Sequence, residues 1–181
     1  MTSQARRDRF EDVAAQVVEP VRRYLARRTD AATAEDVLAD TLLVCWRRID
    51  EVPHEPLPWV YGVARLSLAN AERGTRRQHR VAGRVAALDP PPASVPGPGD
   101  EASPAAEVVT DALAALGESD SELLRLWAWE QLTPTEIAVV LDVTANAVNI
   151  RLHRARGSLR EELRKNGVAA GHEETTEGRT P

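Results

Sequence analysis

Asn146, Asn149, Ile150, His153 and Arg154 lie at close helical intervals towards the C-terminal end of the chain. Residues three and four apart share a face of a helix. Asn and Arg side chains pair bidentately with adenine and guanine edges in a major groove, so this set has the chemistry of base readout. Thr144, Arg151, Arg156 and Arg160 flank it and suit phosphate oxygens. An amphipathic helix with a solvated basic face has the same composition, and the pattern alone does not establish nucleic-acid binding. A second basic group, Arg65, Arg73, Arg76, Arg77 and Arg80, closes an N-terminal segment and suits backbone phosphates. A cationic cap on a helix C-terminus accounts for two of these arginines but not for all. Trp59 and Tyr61 could stack on bases, although a core position suits Trp59 better. Glu35, Asp36 and Asp40 edge another apolar stripe, either as first-turn acids or as a patch for a basic partner. His54, His79, His153 and His172 lack metal-ligand spacing, and no glycine-rich phosphate loop accompanies them. Cys45 sits on an apolar stripe, where an inert buried thiol is expected. No catalytic, cofactor or metal site is therefore expected.

The chain around these residues has 181 residues, 43 % hydrophobic, 28 % charged and 4 % aromatic, with a net charge of −5. One cysteine rules out a disulfide framework. No apolar run is long enough to span a membrane. The N-terminus, MTSQARRDRF, has no apolar core of a signal peptide, so a cytoplasmic protein is expected. The net charge hides a strong asymmetry. Residues 65–84 hold six Arg against one Glu, residues 150–165 hold five Arg and one Lys against two Glu, and residues 85–122 hold eight acids and no base. Contacts are decided by such local fields, because charges beyond about 10 Å are screened at 0.1 M salt.

Helical spacing governs the positioning elements. Phe10, Val13, Val17, Val21 and Leu25 step by three or four, with Pro20 as a kink or a new start. Thr33 is the expected N-cap of a helix over 34–49, whose stripe is Val37, Leu38, Thr41, Leu42, Cys45, Trp46 and Ile49. A third helix is expected from near Pro58 through Trp59, Val63 and Leu66 to Arg77 or beyond. The stretch 89–100, DPPPASVPGPGD, cannot hold regular structure. Beyond it, Ser103-Pro104 opens a helix that Gly117 stops. Ser119 and Glu122 form an expected capping box for a helix carrying Leu123, Leu124 and Trp127, and Thr133 and Glu136 form another. The tight turn Asp142-Val143-Thr144 precedes a long helix from about Ala145, with Val148, Leu152, Ala155, Leu159 and Leu163 inward. The expected fold is all-α. Two small helical domains, an N-terminal helical bundle (5–84) and a C-terminal four-helix helix-turn-helix domain (104–166), are joined by a flexible acidic Pro/Gly-rich linker (85–103). A disordered tail (167–181) follows. Such a linker fixes no angle, so no obligatory interface between the two lobes is expected.

The order of these motifs resembles a bacterial RNA polymerase sigma factor of the extracytoplasmic-function (ECF) group, within the sigma-70 family. Residues 34–46 (AEDVLADTLLVCW) resemble its polymerase-binding helix, and Trp59 to Arg65 with the arginine cluster its promoter-melting helix. Residues 132–141 (LTPTEIAVVL) and 148–156 (VNIRLHRAR) resemble its −35-reading module. The resemblance implies a protein that is not an enzyme and that directs core RNA polymerase to promoters. Glu35, Asp36, Asp40 and Thr41 would contact the β′ clamp helices, and Arg65, Arg73, Arg76, Arg77 and Arg80 the melted −10 strand. Asn146, Asn149, Ile150, His153 and Arg154 would read −35 bases beside phosphate contacts from Thr144, Arg151, Arg156 and Arg160, with the domain resting on the β flap. Promoter DNA and core polymerase are the implied partners, an anti-sigma factor is an open one, and no membrane is involved. The chain departs from the family at Leu66, where Asn is common, at Asp142, where Gly is common, and at Asn149 and Ile150, where Arg and Ser are frequent. The loop 47–58 is also short and Pro-rich, so no base-pocket residue is assigned there. A stand-alone helix-turn-helix regulator would leave the first lobe without a task, and a sigma-like polymerase-binding adaptor would lose promoter reading.

Overall fold

The computed structural model describes residues 2–85 and 104–165. Among them are seven α-helices and no strand: α1 (Ser3–Ala26), α2 (Ala31–Arg47), α3 (Leu57–Val85), α4 (Pro104–Ala115), α5 (Glu118–Ala128), α6 (Pro134–Leu141) and α7 (Ala145–Lys165). The expected tail, and the expected linker apart from Val85, lie outside the described residues.

Pro20 neither breaks α1 nor starts a new helix. An interior proline costs about 3 kcal/mol or more, but Val17, Val21, Tyr24 and Leu25 around it are wholly buried, and tertiary packing supplies most helix stability. The expected cap of α2 is corrected from Thr33 to Asp30, whose carboxylate accepts from the Thr33 amide at 3.0 Å and the Thr33 hydroxyl at 2.7 Å. These two bonds hold the Asp30 carboxyl below its ordinary range. Helix α2 ends at Arg47, and Ile49 enters the core from the turn beyond it. The thiol of Cys45 is fully buried and pushed up to about 11 by that burial.

In the second half, Gly117 takes φ 81°, a left-handed value that glycine adopts freely, and turns α4 into α5. The capping box expected at Ser119 does not form. Ser119 accepts instead from Arg151, and Glu122 turns towards Arg28 and Tyr24. Trp127, expected on the inward stripe of α5, is 37 % exposed, and Leu126 takes the core position.

Helices α1, α2 and α3 pack mutually, and α4, α5 and α6 gather around α7. The two groups also meet. Helix α3 lies against α6, and the buried residues form one continuous core from Val13 to Ala155. At the crossing, a Cβ on Gly62 would stand 3.4 Å from the Val140 carbonyl oxygen, in van der Waals contact, so the two helix backbones pass close to one another. The two helical groups thus share an interface in this structure, which the expectation of no obligatory interface did not foresee. Linker composition limits what the linker imposes; it says nothing about whether the surfaces it tethers are complementary.

Candidate nucleic-acid interface

Helix α6 is built to be short. Its capping box is complete: the Thr133 Oγ1 accepts from the Glu136 amide at 3.3 Å, and the Glu136 carboxylate accepts from the Thr133 amide at 2.8 Å. Pro134 occupies the first turn. The helix ends at Asp142 in the left-handed conformation, φ 54°, ψ 53°, and the Val143 amide closes back on the Ala138 carbonyl at 3.0 Å. Thr144 then accepts from the Ala147 amide at 3.2 Å and starts α7. Asp is among the few L-residues that tolerate this backbone. Asp142→Gly is expected to leave stability unchanged or slightly raised. Asp142→Val is expected to cost about 1–2 kcal/mol. Chemical denaturation of the two variants checks the pair.

Val148, Leu152 and Ala155 anchor α7 inward. Their burial leaves Asn146, Asn149, Ile150, His153 and Arg154 exposed, with Ile150 at 52 %. All five base-reading candidates thus share the outer side of one helix, held by α4, α5 and α6 behind it. The phosphate candidates divide. Arg160 is exposed, and Arg156 stacks over the Trp127 ring at 4.7 Å. Arg151 is turned aside: its Nη2 donates to the Ser119 carbonyl and hydroxyl at 3.2 and 2.6 Å and meets Asp120 at 3.2 Å. Thr144 is an exposed residue whose hydroxyl oxygen serves the helix start.

The basic end of α3 is less uniform. Arg73 bonds Asn70, Arg76 pairs with Glu72, and Arg77 is exposed. Arg80 falls in α3, but its side chain lies outside the described residues. Arg65 is partly buried in a 490 Å³ cleft between α3 and α5, and its Nε has no hydrogen-bond partner among the described residues. Tyr61 is buried, and Trp59 packs against the core beneath Arg48.

On α2, Asp36 and Asp40 are exposed, and Glu35 pairs with Arg22 at 3.0 Å. Thr41 corrects the expected contact surface. It is fully buried, and its hydroxyl donates to the Val37 carbonyl at 2.7 Å. Leu43, 44 % exposed, takes its place beside the acids. The signal was present in the spacing, since 36, 40 and 43 form one helical face. A second apolar surface lies on the other half: a 280 Å³ groove between α4, α5 and α7, with Val109, Leu113, Trp127, Trp129, Leu159 and Leu163 among its walls. Arg125, Arg156 and Arg160 border it.

A short capped helix, a tight left-handed turn and a longer helix with an exposed Asn/Arg face define a helix-turn-helix protein of the DNA-binding kind. Comparison with known proteins agrees. Residues 106–159 match the family described as sigma-70, region 4. Over 152 residues the chain is 32 % identical to the ECF RNA polymerase sigma factor SigL of Mycobacterium tuberculosis, covering 81 % of this chain and 84 % of that protein. Its fold is similar to that of sigma factor RpoE, solved in complex with the anti-sigma factor NepR from Bartonella quintana (TM-score 0.59, 19 % identity, 86 % of this chain and 96 % of that one). It is also similar to CnrH, solved with the cytosolic domain of CnrY (TM-score 0.58, 20 % identity, 87 % and 89 %). The chain belongs to the ECF RNA polymerase sigma factors, and its function is promoter-specific initiation of transcription.

Proposed function

We propose that residues 5–84 form the polymerase- and −10-binding domain, 85–103 a linker, and 104–166 the −35-reading domain, with 167–181 as a tail. The observation that carries this reading is the exposed face of Asn146, Asn149, Ile150, His153 and Arg154 on a braced second helix. Arg154 and the two asparagines read −35 base edges. Arg156 and Arg160 hold the phosphate walls, and Arg151 joins them where DNA draws it from Ser119 and Asp120. Arg65, Arg73, Arg76, Arg77 and Arg80 track the melted −10 strand. On α2, Asp36 and Asp40, with Leu43 rather than Thr41, meet the β′ clamp helices. The apolar groove beside Trp127 rests on the β flap. The protein acts in the cytoplasm and catalyses no reaction of its own. An anti-sigma factor is a further partner, supported by the anti-sigma complexes of the similar structures. No helix among the described residues is long and apolar enough to cross a membrane.

Run-off transcription with core polymerase tests this reading. Initiation from a specific promoter is the expected result. DNA binding without polymerase would instead mark a stand-alone regulator, and polymerase binding without initiation an adaptor. Asp36→Arg with Asp40→Arg is expected to weaken holoenzyme assembly. Unchanged affinity in a pull-down, with helicity intact, would remove this face from the polymerase contact.

A further inference from the structure

Among the exposed large apolar side chains of the described residues, Val109, Trp127 and Trp129 belong to the groove of α4, α5 and α7, and Leu43 to the acidic face of α2. Ile150 stands apart from both, 52 % exposed in the first half of α7. A single apolar side chain on a surface is ordinary; its bearing decides what it can do. At about 100° per residue, Ile150 lies roughly 170° round the helix from the mean direction of the buried Val148, Leu152 and Ala155. Asn146, His153 and Arg154 lie roughly 130–150° round, and Asn149 roughly 95°, on the flank. Asn146 and Arg154 are its neighbours one turn before and one turn after. The outermost point of the base-reading face is therefore apolar, and polar side chains surround it.

The floor of a major groove offers such a side chain one apolar partner, the C5-methyl group of thymine. The hydrogen-bonding groups of the other base edges lose water against an isoleucine and gain no partner in return. Isoleucine is branched at Cβ and holds essentially one χ1 rotamer in a helix, so the contact costs little side-chain entropy. We propose that Ile150 reads a thymine of the −35 element through its C5-methyl group. The inference rests on the −35 reading above and adds to it a base that no hydrogen bond selects. Four residues advance an α-helix by about 6 Å, and successive base pairs are about 3.4 Å apart. This thymine therefore falls, on either strand, within about two base pairs of the guanine that Arg154 takes.

Removal of a single methyl group from the DNA tests this. Selection by holoenzyme from a −35 library gives the preferred duplex. Each thymine in it is then replaced singly by deoxyuridine, which lacks only the methyl group. At one thymine, within about two base pairs of the position that Arg154→Ala relaxes, the replacement is expected to weaken wild-type binding about fourfold, the factor that one buried methyl group gives. Ile150→Ala places a strong helix former at an exposed position. It is expected to bind the thymine and deoxyuridine duplexes equally and to keep the guanine preference, which also shows that its helix is intact. No deoxyuridine penalty within that span, or a penalty of the same size in Ile150→Ala, overturns the proposal and leaves the −35 reading standing. A library from which holoenzyme selects no −35 sequence overturns the −35 reading, and this proposal with it.

Discussion

Arg154→Ala is expected to lower affinity for the preferred −35 duplex by about 1–3 kcal/mol, a loss of about 5- to 150-fold, and to relax the choice at one base pair. The basis is positional. Arg154 is exposed on the side of α7 opposite Val148, Leu152 and Ala155, and its long planar fork can reach a guanine edge. Arg156→Ala serves as the contrast. It is expected to weaken all sequences alike and to lower the salt slope by about one unit, as loss of one phosphate contact does. Binding of holoenzyme to a −35 library at several salt concentrations separates the two. If Arg154→Ala leaves every preferred base unchanged and only flattens the salt dependence, its assignment to base readout fails.

Ile137→Ala is expected to remove about 2–5 kcal/mol of folding stability. Ile137 is completely buried in α6, the helix that touches α3, α5 and α7. The loss combines the transfer of its methyl groups with a cavity that rigid helices cannot fill. Val139→Ala, two residues along but 51 % exposed, is expected to change stability by less than about 0.5 kcal/mol. Urea unfolding of the full chain checks both. A loss below about 1 kcal/mol at Ile137 would mean that α6 is not braced as its burial indicates.

Local grammar carried much of the fold. The Thr133 capping box, the turn at Asp142 and the inward stripe of α7 stand where spacing put them, because each is settled within a few residues. The errors arose where distant partners compete. Ser119 and Glu122 have the spacing of a cap, but Arg151 and Arg28 claim them from elsewhere in the chain. Asp30 and Thr33 are both good caps three residues apart, and only the bond from the Thr33 amide to the Asp30 carboxylate decides between them. At Thr41 the helical stripe pointed inward while family resemblance pointed outward, and the stripe was right. A threonine returns its hydroxyl to the preceding turn and so enters a core without an unpaired group. The α3–α6 crossing was not legible, since a glycine between Tyr61 and Val63 does not announce whose backbone it admits.

Cys45 is the chain's one thiol, buried under α1–α3 packing with its acidity suppressed to about 11. Oxidants react with the thiolate, and burial disfavours that charged form at Cys45. Peroxide can therefore reach a reactive sulfur only when the first three helices come apart. A buried thiol held in its neutral form is a poor target for oxidants while the chain is folded. Thiol modification of this chain would measure how often its helical core opens rather than the state of its surroundings.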